Sequence, residues 1–172
     1  MTTPPFTPPT PAEIDVVSAQ LGRPARGVVG IAARCVCGNP AVVATSPRLD
    51  DGSPFPTFYY LTHPAATAAM STLEATQVMP ELAARLDDGD TAAGYRAAHE
   101  AYLADRAQFG EVPEIDGISA GGMPTRVKCL HALAGHALAA GPGVNPIGDA
   151  ALELSAWSLQ RCQCEDPGAA TR

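Results

Sequence analysis

Apolar residues recur three and four positions apart at Ile14, Val17 and Leu21, which predicts an amphipathic helix over 12–21. Gly22 and Pro24 end it. The spacing then changes. Two short apolar runs, GVVGIAAR at 27–34 and PAVVAT at 40–45, are joined by Cys-Val-Cys-Gly-Asn and read as the arms of a β-hairpin. A loop rich in Pro, Asp, Gly and Ser leads to TFYYL at 57–61, a third strand. Beyond it the helical spacing returns. Pro64 opens an Ala-rich helix over 65–75, a shorter helix follows Pro80 towards Leu86, and Asp90 is placed to cap a helix over 91–108. Tyr95, His99, Tyr102 and Arg106 fall along one stripe of that last helix. Pro124 is predicted to start a helix that runs to about Ala139 and is stopped by Gly141-Pro142-Gly143. A final helix is predicted over 149–158. The fold class is α+β: a small antiparallel sheet, made of a hairpin plus a third strand, packed by four to six helices.

Length and charge narrow the picture. The 172 residues suit a single domain, expected over 12–158, and a chain of this size buries roughly 70% of its extended surface. Five prolines in 2–11 fix φ and remove backbone donors, so 1–11 is expected to be a disordered Pro-rich tail. Residues 159–172, ending in QRCQCEDPGAATR, are expected to form a flexible C-terminal tail. Eleven Lys and Arg against 18 Asp and Glu leave a formal charge of −7, which argues against a nucleic-acid partner. No apolar run reaches the roughly 18 residues a membrane helix requires, and no basic-then-apolar leader opens the chain. A cytoplasmic protein is expected, and its five cysteines are then thiols or metal ligands, not a disulfide framework.

The cysteines and histidines carry the main chemical signal. Cys35 and Cys37 flank the predicted hairpin turn, and Gly38 permits the tight backbone that turns both sulfurs toward one point. Thiolates suit zinc or iron, and a structural zinc site requires four nitrogen or sulfur ligands. His63 follows the third strand and could lie beside the hairpin. Cys129 and His136, seven apart on the predicted 124–139 helix, share one face, whereas His131 lies about 160° away. The expected ligand set is Cys35, Cys37, His63 and Cys129, with His131 or His136 as alternates. Against it stands a plainer reading, in which Cys129 is a small core residue and His63 only caps a helix. Cys162 and Cys164 form a second Cys-x-Cys without glycine or histidine neighbours, and are read as exposed thiols outside the site.

A second signal is the segment Ser119-Ala-Gly-Gly-Met-Pro-Thr-Arg-Val-Lys128. A Gly-Gly loop entering a helix start leaves backbone N–H groups free for an anion, so Ser119, Gly121, Gly122, Arg126 and Lys128 form a candidate phosphate or carboxylate site. The plainer alternative is a mobile loop with two solvated basic residues. The chain contains no Walker loop, no Gly-x-Ser-x-Gly elbow and no His-Glu-x-x-His.

Several of these strings occur together in one family. Arg34-Cys-Val-Cys-Gly-Asn-Pro40, Asp51-Gly-Ser-Pro-Phe-Pro-Thr-Phe-Tyr-Tyr-Leu-Thr-His-Pro64, Ser119 to His131 and Gly141-Pro-Gly-Val-Asn-Pro-Ile-Gly-Asp149 resemble an uncharacterised bacterial family, domain of unknown function 501, common in actinobacteria. The resemblance covers about 14–154, and Thr125 departs from it where an acidic residue is expected. It places Cys35, Cys37, His63, Cys129 and His131 inside signature strings and implies a cytoplasmic setting, but no reaction. Three functional readings follow. The first is a small metal-binding domain with structural zinc, acting as a binding or regulatory module for a protein partner or a small anionic ligand. The second is an iron–sulfur protein using the same thiolates. The third is an enzyme acting on a phosphorylated small molecule through Ser119, Arg126 and Lys128.

Overall fold

The computed structural model describes residues 6–172. Residues 1–5 of the expected Pro-rich tail lie outside the described residues. The remainder of that tail is ordered against the sheet. The Ile31 N–H donates to the Thr7 carbonyl at 2.9 Å, and the Phe6 ring packs against Phe58, Tyr59 and Phe109. Aromatic burial here outweighs the extended bias of the prolines.

Helix α1 (Pro11–Leu21) starts at a reciprocal cap, in which the Glu13 N–H donates to the Thr10 hydroxyl and the Thr10 N–H to the Glu13 carboxylate. An ion pair from Glu13 to Arg34 then fastens α1 to the first strand. Strands β1 (Val28–Arg34), β2 (Pro40–Thr45) and β3 (Tyr59–Leu61) form an antiparallel sheet in that order. Every residue of β2 is buried because both faces of the sheet are covered. On one face Val43 and Ile31 pack against Val17 of α1, and on the other Val42 and Ala44 enter the main core.

That core is roofed by α2 (Pro64–Glu74), α3 (Val78–Ala84), α4 (Gly89–Ala107), α5 (Leu130–Ala140) and α6 (Pro146–Ser155). The three strands and six α-helices among the described residues bear out the α+β expectation. The stripe expected on α4 is real. Tyr95, Tyr102 and Arg106 are buried, and the Tyr102 hydroxyl accepts the Phe58 N–H at 2.5 Å where β3 begins. Asp88, two residues before the expected cap, accepts the Thr91 N–H. No helix among the described residues is long and apolar enough to cross a membrane.

Two further segments differ from their sequence expectation. The helix predicted from Pro124 begins only at Leu130. Residues 121–129 fold back on themselves, with the Arg126 N–H on the Gly122 carbonyl and the Lys128 N–H on the Gly121 carbonyl. Residues 159–172, expected as a loose tail, run back along the β1–β2 hairpin, where the Val36 N–H donates to the Leu159 carbonyl.

Gly148 sets the distance between α5 and α6. A Cβ there would stand 2.3 Å from the Leu133 carbonyl oxygen and 2.8 Å from the Ala137 Cβ, and neither can swing aside. Gly148→Ala is expected to destabilise the fold by roughly 1–3 kcal/mol in urea unfolding. An unchanged midpoint would mean that the two helices separate freely.

His136 sits inside this core, fully buried, stacked on Tyr59 with its Nδ1 3.2 Å from the Asn145 amide nitrogen. Burial lowers its pKa from 6.5 to about 4. The unfolded chain therefore takes up this proton first, and stability falls as pH drops from 6.5 towards 4. We expect wild-type protein to lose on the order of 2–3 kcal/mol more than His136→Phe between pH 7 and 4.5. Parallel pH profiles for the two proteins would remove His136 as the source.

Candidate metal centre

The hairpin turn is built to aim two sulfurs the same way. The Cys35 N–H donates to the Asn39 carbonyl at 2.9 Å and the Gly38 N–H to the Cys35 carbonyl at 2.8 Å. Gly38 has φ +91, a conformation that disfavours any side chain, and a Cβ there would meet Thr171 Cγ2 at 2.7 Å. The returning C-terminal segment therefore packs directly over the turn. Buried Asn39 holds it, donating through Nδ2 to the Asp166 carbonyl at 2.8 Å and accepting the Ala170 N–H at 3.0 Å.

This packing delivers Cys162 and Cys164 to Cys35 and Cys37. The four sulfurs lie within 4.8 Å of one another, and the Cys37 and Cys164 sulfurs are 3.6 Å apart. All are free thiols. Zn–S bonds of about 2.3 Å in a tetrahedron put the sulfurs about 3.8 Å apart, so this spacing suits a single ion. Cys162 and Cys164, read from sequence as exposed thiols, are thus half-buried members of the cluster. The repeated Cys-x-Cys was the available signal, but its meaning depended on a contact spanning 127 residues.

The electrostatics favour ligation. Burial pushes the Cys37 thiol up, but the backbone donors of Asn39 and Gly168 and the Cys164 and Cys162 thiols outweigh it and bring it down to about 7. Burial raises Cys35, and burial together with the neighbouring sulfurs raises Cys164. A bound cation removes that opposition by compensating the crowded negative charge.

The other residues expected at the site are distributed differently. His63 does reach the cluster, with Nε2 3.2 Å from Cys164 Sγ, and its ring packs on Trp157 with centroids 5.1 Å apart. Burial lowers its pKa and favours the neutral ring, whose Nε2 would donate to the Cys164 sulfur once that thiol is ionised by a bound cation. Its Nδ1 has no partner among the described residues. Cys129 lies elsewhere, grouped with Glu74 and His131. It is the N-cap of α5 and not a residue within the helix, so the expected common face with His136 does not exist. His136 is in the core, as described above.

Four amides in and after the expected anion loop donate to its own carbonyls: Met123 to Ala120, Arg126 to Gly122, Lys128 and Cys129 to Gly121. The Ser119 hydroxyl pairs with His99 Nδ1 at 2.8 Å, and the first amide of α5, at Leu130, is taken by the Glu74 carboxylate at 2.7 Å. Gly121 and Gly122 carry φ of +68 and +96 and serve this fold-back, while the Arg126 and Lys128 side chains are exposed.

A family profile described as "Protein of unknown function (DUF501)" matches residues 31–153. The match contains Cys35, Cys37, His63, Glu74, Cys129 and His131, and stops before Cys162 and Cys164. No curated protein and no solved structure matches the chain.

Proposed function

Because the chain belongs to the DUF501 family, whose description carries no activity, we propose its function from its own chemistry: Cys35, Cys37, Cys162 and Cys164 hold one structural zinc ion in a binding or regulatory module. The observation that carries this reading is the approach of four free thiols from two distant segments to within 4.8 Å. Four protein sulfurs close the coordination sphere and leave no position for water or substrate, which suits a structural ion better than a catalytic one. His63 supports it, because its Nε2, 3.2 Å from the Cys164 sulfur, would donate to the metal-bound thiolate. The ion ties the C-terminal segment to the hairpin and so couples the last residues of the chain to the sheet. In this reading the module serves a protein partner or a small anionic ligand in a reducing cytoplasm, where five free cysteines persist.

Elemental analysis and a visible spectrum on untagged protein purified without oxygen test the reading. One zinc per chain in colourless protein is the expected result. Iron with sulfide and a charge-transfer band would transfer the same thiolates to the iron–sulfur alternative. Folded, metal-free protein that takes up no added zinc would overturn both.

A further inference from the structure

A cleft of about 640 Å³ opens between β3, α2 and α5, with Tyr60, Leu61, Thr67 and Ser71 among its walls and Cys129 and His131 at one side. It shares no residue with the four-cysteine cluster. Cys129 is the N-cap of α5, and Glu74 ends α2 directly opposite it. The Glu74 carboxylate accepts the Leu130 N–H at 2.7 Å and lies 3.1 Å from His131 Nδ1, while His131 Nε2 lies 3.2 Å from the Ser71 hydroxyl. The sulfur, an imidazole nitrogen and a carboxylate oxygen all fall within 4.8 Å of one another. Thiol, histidine and carboxylate within this reach are the parts of an activated nucleophile: the acid orients and charges the imidazole, and the imidazole beside the sulfur stabilises the thiolate.

We propose that Cys129, with His131 and Glu74, is a nucleophilic site that accepts an acyl group from an uncharged ester or thioester bound in this cleft. The substrate class follows from the walls. Among the described residues that line the cleft, His131, paired with Glu74, is the only basic side chain and no carboxylate lines it; apart from Cys129 the remaining walls are aliphatic, aromatic, hydroxyl or amide groups. With the His131 charge already paired to Glu74, a charged substrate would find no free counter-ion there, and the volume suits a small molecule. The ionisation of the trio agrees. The neighbouring His131 lowers the Cys129 thiol, and Cys129, with Glu74, raises His131 to about 9. Glu74 and Ser71 hold the two ring nitrogens of His131 and so fix the imidazole beside the Cys129 sulfur.

The steps balance. The Cys129 thiolate attacks the acyl carbon and a C–S bond forms. The bond to the leaving oxygen or sulfur breaks, and the leaving group takes the His131 imidazolium proton. Water then attacks the thioester, neutral His131 accepts the water proton, and Cys129 departs as thiolate. The net reaction consumes one ester or thioester and one water and releases one carboxylic acid and one alcohol or thiol.

The test uses the full chain loaded with zinc, with p-nitrophenyl acetate as the probe. A burst of one p-nitrophenol per chain is expected, with the acetyl group on the Cys129 peptide by mass spectrometry. His131→Gln should slow the burst by roughly 100-fold and Glu74→Gln by less. Acetylation elsewhere with Cys129 untouched, or an unchanged burst in His131→Gln, would overturn the proposal. Zinc binding that blocks Cys129 until chelated would overturn it too, by assigning the trio to a metal. Because variants at the start of α5 can unfold, wild-type protein supplies a second measurement. Iodoacetamide should alkylate Cys129 at pH 6 at least tenfold faster than a free cysteine. The titratable groups facing the sulfur are Glu74 from α2, His131 and, from α4, Tyr102. Reaction no faster than free cysteine would sink the idea.

Discussion

Cys162→Ser and Cys164→Ser should each release zinc and lower the melting temperature as far as Cys35→Ser does. Sequence alone points the other way, towards two dispensable thiols near the end of the chain. The expectation rests on the sulfurs lying within 4.8 Å of one another and on the Asn39 hydrogen bonds that hold the segment in place. Structural zinc in thiolate sites binds with an apparent free energy on the order of 10 kcal/mol, and that energy is available only to the folded chain. If losing one sulfur removes even about 3 kcal/mol, the melting temperature falls by roughly 6–12 °C at this chain length. Chelator added to wild-type protein should reproduce the shift, and Cys129→Ser, remote from the cluster, should retain the metal. Unchanged metal content and melting temperature in Cys164→Ser would refute the site as drawn. His63→Gln should keep the metal and bind it more weakly, because only the donor to Cys164 changes.

Arg106→Met should cost about 3–5 kcal/mol of stability and should not alter metal content. Arg106 is 6% exposed, and its guanidinium donates to three carbonyls: Pro56 at 3.0 Å, Ile118 at 2.6 Å and Ile115 at 2.8 Å. These groups close the approach to β3 and the loop after α4 around one cation. Methionine retains much of the apolar stem and leaves three carbonyls without their charged donor. Lysine should recover only part of the loss, because a single ammonium cannot span the fork that the guanidinium makes. Urea unfolding of the three proteins, with zinc measured alongside, decides the matter. Equal stability of Arg106→Met and wild type would show that water replaces the fork.

The hairpin, the third strand and the helices from Pro64 onward were legible because each is set by local rules: residue period, proline at a helix start, glycine at a turn. The stripe of Tyr95, Tyr102 and Arg106 on α4 was visible in the same way. The segment from Pro124 to Cys129 was not, since a Pro shortly after Gly-Gly looks the same whether it opens a helix or a loop that bonds to itself. Half of the candidate metal site was legible as well. Cys35 and Cys37 announced themselves by the turn between them, and His63 by its place after β3.

The sequence by itself determined the α+β class, the hairpin that presents two sulfurs, and the family. Only the tertiary structure decided which residues complete each site. It brought Cys164 to Cys37 across 127 residues and sent Cys129 to Glu74 and His131 instead. Periodicity describes what a segment does with its immediate neighbours. Which distant segments meet depends on how all the apolar faces are buried at once, and here the deciding contacts, at Asn39 and at Glu74, are polar groups with no period to read.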